Sequence, residues 1–161
     1  MGEIFLEETK IKLGLFGGTF DPVHNGHIYI AKEAEESHHL DEVHWGPAKH
    51  KKHTMFGFKK RRQAVSNLAK KLGHKVSVHS YNSSIEWVKC YNPKKYDIHL
   101  IVGKDLRNQI QNWKDFEELR ALCKWIWVDR ALPISSTMIR ERINNKQHIE
   151  AFIPCRIKQF M

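Results

Sequence analysis

Short stretches rich in apolar, β-branched and aromatic residues recur along the chain at 11–16 (IKLGLF), 42–45 (EVHW), 75–78 (KVSV), 97–102 (DIHLIV) and 124–128 (KWIWV). Each reads as a strand. Between them the apolar positions change to helical spacing. Ile28, Ala31 and Ala34 mark one face of HIYIAKEAEES, and KRRQAVSNLAKKL predicts a second helix that Gly73 ends. SSIEWVKCY predicts a third, stopped by Asn92 and Pro93. LRNQIQNWKDFEELRAL has room for one or two more, SSTMIRERI begins a helix just after Pro133 and Ile134, and a last short helix starts at Pro154. Strands alternating with helices imply βαβ units, so the expected fold class is α/β: one doubly wound parallel sheet in a three-layer αβα arrangement. At 161 residues, 41% of them apolar, the chain is sized for a single domain over 1–161.

Composition narrows this picture in two respects. No stretch approaches about eighteen consecutive apolar residues, and the opening MGEIFLEETK is acidic where a secretory signal is basic and then greasy. The expectation is a soluble, cytoplasmic protein with no membrane partner. The three cysteines, Cys90, Cys123 and Cys155, are far apart and form no C-x-x-C pair, so a disulfide framework and a zinc site are both unsupported, and buried free thiols are expected.

The net charge of +9 is unevenly spread. From 43 to 85 there is no Asp or Glu, while Lys49, Lys51, Lys52, Lys59, Lys60, Arg61 and Arg62 crowd PAKHKKHTMFGFKKRR. A field of one sign draws anions, either nucleic acid or a polyphosphate; a solvated basic face without a partner is the plain alternative.

The junction GLFGGTFDPVHNGHIYIAKEA carries the chemistry. In a doubly wound sheet, ligands sit where strand ends run into helix N-termini. Gly17 and Gly18 follow the first strand and, lacking Cβ, let backbone amides approach a ligand. Gly26 is expected to leave the helix N-terminus open, with free amides suited to an anion. Those amides are worth only about 0.3–2 kcal/mol for one negative charge, so a polyphosphate also needs cationic side chains. His24 and His27 lie on one side of that helix start. Metal ligation by this pair lacks the third ligand a zinc site requires. Neither G-x-G-x-x-G nor G-x-x-x-x-G-K-[ST] is present. Asp21, standing before Pro22, reads as the organiser of its own turn.

GGTFDPVHNGH resembles the signature of the H-x-G-H nucleotidyltransferase superfamily, and in detail that of the bacterial nicotinate mononucleotide adenylyltransferases. The likeness continues in order. PAKHKK is similar to the proline-then-His-Lys loop, HSYNSSIEWV to the S-Y-T-x-x-T-L segment, LIVGKDLRNQIQNWKDFEEL to G-x-D followed by tryptophan, ISSTMIRERI to I-S-x-T-x-I-R-x-R, and FIPCRIKQFM to the closing I-P helix. The resemblance implies a Rossmann-like fold of nucleotidyltransferase type and transfer of AMP from ATP onto the phosphate of a pyridine mononucleotide, with Mg²⁺ carried on the nucleotide. It also assigns roles. Gly17, Gly18, Thr19, Phe20 and Gly26 belong to the phosphate loop, and His24 and His27 donate to the ATP phosphates. Ser135, Ser136 and Thr137 bind phosphate at a helix start, with Arg140 as the clamp, while His50 and Lys51 close over it. Asp105, Trp113, Asn82 and Ser83 lie at the mononucleotide.

The pattern is broken in places. Lys114 stands where many members carry a second aromatic, Asn82 replaces the usual Thr, and the span from Trp113 to Ser135 is short. A phosphopantetheine adenylyltransferase or another H-x-G-H adenylyl- or cytidylyltransferase is the alternative activity, and a nucleic-acid-binding protein the remote one. A homo-oligomer is compatible with everything in the sequence.

Overall fold

In the computed structural model the described residues are 8–49, 51, 53–155 and 157–161. Five parallel strands form one sheet: β1 (Ile11–Gly18), β2 (Glu42–Pro47), β3 (Lys75–Val76), β4 (Tyr96–Gly103) and β5 (Lys124–Val128). Their spatial order is β3-β2-β1-β4-β5. The chain moves outward from β1 to β3, then returns across the sheet to place β4 on the other side of β1. The point of reversal is therefore the β1/β4 crevice, where the two strand ends diverge and leave room for a ligand.

The alternation in β1 explains both layers of core. Leu13 and Leu15 point to the face covered by α3 (Ser84–Val88) and α4 (Phe116–Leu122), where they meet Ile85, Val88 and Leu119. Phe16 points to the opposite face, against α1 (Asn25–His38) and α2 (Phe58–Leu72), with Ile30, Ala31, Val65 and Leu68. Each fully buried aliphatic side chain of this kind contributes about 1.5–3 kcal/mol. The fifth helix, α5 (Ser136–Asn144), follows β5 and packs Ile139 against Ile149 and Ile153 in a separate small cluster.

One polar contact crosses the core. Trp45 is fully buried, and its indole N–H donates to His74 Nδ1 at 3.0 Å. Because Nδ1 accepts, the imidazole proton lies on Nε2, which donates to Glu35 on α1. β2, α1 and the turn after α2 are thereby tied together, and the indole is satisfied without water.

The predicted elements recur with three differences. The third strand spans two residues rather than four, since Ser77 N–H bonds back to Trp45 and the chain then leaves the sheet. The segment after β4 forms two single 3-10 turns, Lys104–Leu106 and Ile110–Asn112, before α4. The last helix is a 3-10 turn over Ile157–Phe160, joined to Pro154 by the Ile157 N–H. Of the cysteines only Cys123 is buried; Cys90 and Cys155 are exposed, contrary to the expectation of buried thiols. Among the described residues no helix is long and apolar enough to cross a membrane.

Candidate active site

A cleft of about 350 Å³ opens at the carboxyl ends of β1 and β4. Gly17, Gly18, Thr19 and Phe20 line it from the first strand and its loop, with His27 on α1. Lys51 enters from the basic loop, Asn82 and Ser83 from the start of α3, Trp113 from just after the second 3-10 turn and Ser136 from the first turn of α5. These residues from distant parts of the sequence share one cavity, whereas His24, Gly26, Asp105, Ser135, Thr137 and Arg140 are not among its lining residues. His50 lies outside the described residues.

The floor is aromatic. Tyr81 stacks on Trp87 with centroids 4.7 Å apart and planes 5° from parallel, and its hydroxyl donates to Gly46 O at 2.5 Å. Burial pushes the Tyr81 hydroxyl well above its ordinary pKa, so it remains a donor. Gly17 admits this pair: a Cβ there would lie 2.9 Å from the Tyr81 oxygen.

The histidines do something the sequence does not announce. His24 is the N-cap of α1, and its Nδ1 accepts from Gly26 N–H at 3.0 Å. His27 Nδ1 accepts in turn from His24 N–H at 3.0 Å, which closes a reciprocal capping box built from two imidazoles instead of a hydroxyl and a carboxylate. The rings stack with centroids 3.7 Å apart. Accepting at Nδ1 fixes the tautomer: in a neutral ring the proton sits on Nε2, which is left as a donor. The rings are held neutral. Burial, followed by the Arg130 charge, lowers His24 from 6.5 to about 4, and burial followed by the charges of His24 and Arg130 takes His27 well below its usual value.

This arrangement corrects the expectation of free amides at the helix start. Asn25 N–H is taken by Phe152 O, Gly26 N–H by His24 Nδ1 and His27 N–H by His24 O. Of the two rings, His27 lines the cleft, while His24 is buried and lines the narrow crevice beside it. Gly26 is required by the same geometry, since a Cβ would lie 2.8 Å from His24 Cε1.

The charged residues also divide differently from the sequence reading. Arg61 is buried; it donates from Nη1 to Thr19 O at 2.6 Å and Ala48 O at 3.0 Å and from Nε to Phe56 O at 3.0 Å. It is a strut for the phosphate loop, not part of a solvated basic face. Asp21 accepts from Met55 and Phe56 N–H, both at 2.8 Å, so it anchors the basic loop rather than its own turn. Arg140 donates to Asp21 O at 2.8 Å and to Thr137 Oγ1 at 3.1 Å, and lines neither the cleft nor the crevice beyond it. Ser135 caps α5 through Met138 N–H, and Ser136 donates to Pro22 O at 2.9 Å, which docks that helix on the β1–α1 loop. Lys114 pairs with Glu86 at 3.4 Å. Asp105 faces Arg130, its Oδ1 accepting from Arg130 Nε at 3.1 Å, and stands outside the cleft lining.

Arg130 had no sequence signal beyond its place after a strand. It lines the cleft and also a narrow crevice behind the histidines that includes Tyr29, Leu132 and Ile134.

A family model described as Cytidylyltransferase-like matches residues 15–142. The chain is 28% identical over 180 residues to the nicotinate-nucleotide adenylyltransferase of Bacillus subtilis (strain 168), covering 93% of this chain and 95% of that protein. Its fold is similar to that of Plasmodium falciparum nicotinic acid mononucleotide adenylyltransferase complexed with NaAD. The TM-score is 0.73 at 14% identity, over 93% of this chain and 94% of that one.

Proposed function

The chain belongs to the cytidylyltransferase-like family, and from that premise we propose that it is an adenylyltransferase. It transfers AMP from ATP to nicotinate mononucleotide or nicotinamide mononucleotide, releases pyrophosphate and forms deamido-NAD or NAD. The observation that carries this reading is the shared cleft. His27, the Gly17–Gly18–Thr19 loop, Asn82, Ser83 and Trp113 line one cavity large enough for the reacting ends of two nucleotides.

The chemistry suits the residues. A phosphate oxygen of the mononucleotide is already ionised, so it attacks the α-phosphorus without a general base. The bond from that phosphorus to the bridging oxygen breaks, and its electron pair leaves with pyrophosphate. No proton must move for the bond to exchange. Catalysis then reduces to holding the two phosphates in line and stabilising charge on the leaving group. The Nε2–H groups of His24 and His27 donate to phosphate oxygens, and being neutral and tautomer-locked they need no reorganisation to do so. Thr19 and the glycines hold the triphosphate through backbone groups, Lys51 closes over it, and Ser136 faces it from the first turn of α5. Trp113 stacks on the pyridine beside Asn82 and Ser83.

Among the described residues the cleft lining holds no carboxylate. In this reading Mg²⁺ enters on ATP as part of the substrate. Both substrates are small and water-soluble, and the reading places the enzyme in the cytoplasm.

Pyrophosphate release from ATP and Mg²⁺, measured with nicotinate mononucleotide, nicotinamide mononucleotide and phosphopantetheine in turn, tests the proposal. Turnover with a pyridine mononucleotide is expected. Turnover with phosphopantetheine alone, or salt-sensitive nucleic-acid binding without any turnover, would replace it.

A further inference from the structure

We propose that Arg130 is the guanidinium that grips the polyphosphate of ATP, and that Asp105 is the residue that aims it; the inference rests on the adenylyl-transfer reading. Three observations support it. Arg130 lines both the main cleft and the crevice behind the histidines, so its side chain lies at the point where the two spaces meet. Among the described residues only its Nε is engaged, by Asp105 Oδ1 at 3.1 Å, which leaves the Nη edge as an open fork. A guanidinium in that state is suited to two parallel hydrogen bonds to phosphate oxygens.

The second observation concerns charge. His24 and His27 are neutral and so provide hydrogen bonds without a countercharge, while Arg140 is committed to Asp21 O and Thr137 and Arg61 to three backbone carbonyls. A triphosphate carries several negative charges, and neutral donors alone hold it weakly. Arg130 and Lys51 are the cations that line the cleft among the described residues. Arg130 is also close enough for its charge to be felt at both imidazoles.

The third is how Arg130 is held. Asp105 lies in the 3-10 turn directly after β4 and Arg130 in the loop directly after β5, so neighbouring parallel strand ends present the pair. Gly103 makes room for this: a Cβ there would fall 2.5 Å from Asp105 Oδ1. Asp105 acts through Arg130 and is a positioning residue. As pyrophosphate departs with the electron pair of the broken bond, the fork meets the charge developing on its oxygens.

The test uses the full-length protein and the variants R130A, R130K and D105N, with two readouts. Calorimetry measures binding of inorganic tripolyphosphate and of ATP with Mg²⁺, and a coupled assay measures pyrophosphate release with nicotinate mononucleotide. R130A should weaken tripolyphosphate binding at least about 10-fold and cut kcat by about 10²–10³, the range for one preorganised donor. R130K should recover part of the binding through its charge and little of the rate, and D105N should lower kcat with a smaller change in binding. An exposed ion pair contributes little to stability, so Tm should move by less than about 4 °C in all three. R130A binding tripolyphosphate as tightly as wild type overturns the inference, whatever its rate. Wild type failing to turn over either pyridine mononucleotide while R130A still loses tripolyphosphate would remove the proposed function and leave Arg130 in place.

Discussion

Substituting Gly26 by alanine should separate folding from chemistry at the start of α1. The added methyl carbon would lie 2.8 Å from His24 Cε1 and 2.9 Å from Nδ1, with the Ile134 carbonyl at 3.5 Å on the other side, so the ring has to leave its cap. Loss of an N-cap costs about 0.5–2 kcal/mol. Alanine in place of glycine returns up to about 1 kcal/mol of helix propensity. Net stability should therefore fall by about 1 kcal/mol or less. Activity should not be spared: once Nδ1 is released, the proton is free to sit on either ring nitrogen, and the Nε2–H donor is no longer fixed. Losing one preorganised donor lowers kcat by about 10²–10³. Urea denaturation and steady-state kinetics on the same preparation measure both quantities. A G26A enzyme with wild-type kcat would show that the capping box does not set the donor, and the reasoning from tautomer to catalysis would fail.

Other consequences follow from the same geometry. A histidine whose pKa is depressed on folding binds protons more readily in the unfolded chain, so its effect on stability is absent above pH 6.5 and grows as pH falls towards 4. At about 1.36 kcal/mol per pH unit, His24 alone should cost about 3 kcal/mol across that window, with His27, His44 and His74 acting in the same direction. Denaturation midpoints at pH 7 and pH 4.5 check this, and equal midpoints would contradict neutral buried rings. Arg140→Ala removes a charge-assisted bond to the Asp21 carbonyl and should cost about 1.5–3 kcal/mol in a denaturation experiment; a variant as stable as wild type would remove Arg140 from its strut role. Trp113→Ala should raise KM for the mononucleotide far more than for ATP, whereas equal effects on both would assign Trp113 to packing against Trp125, 6.0 Å away.

The sheet and its helices were legible because their signals are local. Periodicity in 11–16 and 97–102 gave β1 and β4, and Gly73 marked the end of α2, where its φ of +72° is the left-handed value glycine favours. Lateral order was not local: only long-range pairing places β4 beside β1. The site shows the same division. The H-x-G-H spacing brought two histidines to one side of a helix, but that each would accept a backbone amide at Nδ1 depends on the backbone at 24–27 and could not be read from residue type. Arg61 stood in a basic run and looked solvated, although three carbonyls from separate segments surround it. Arg130 belonged to no motif, and its place depends on Asp105, which lies on a different strand end.

Nitrogen-15 NMR of the histidine rings at pH 7, with and without ATP, reports whether two neutral imidazoles, each locked with its proton on Nε2, meet the polyphosphate. His24 and His27 should both show an unprotonated Nδ1 and a protonated Nε2, and the Nε2 resonances should shift when ATP binds. Imidazolium signals, an Nδ1–H tautomer at either ring, or no response of either Nε2 to saturating ATP would contradict it.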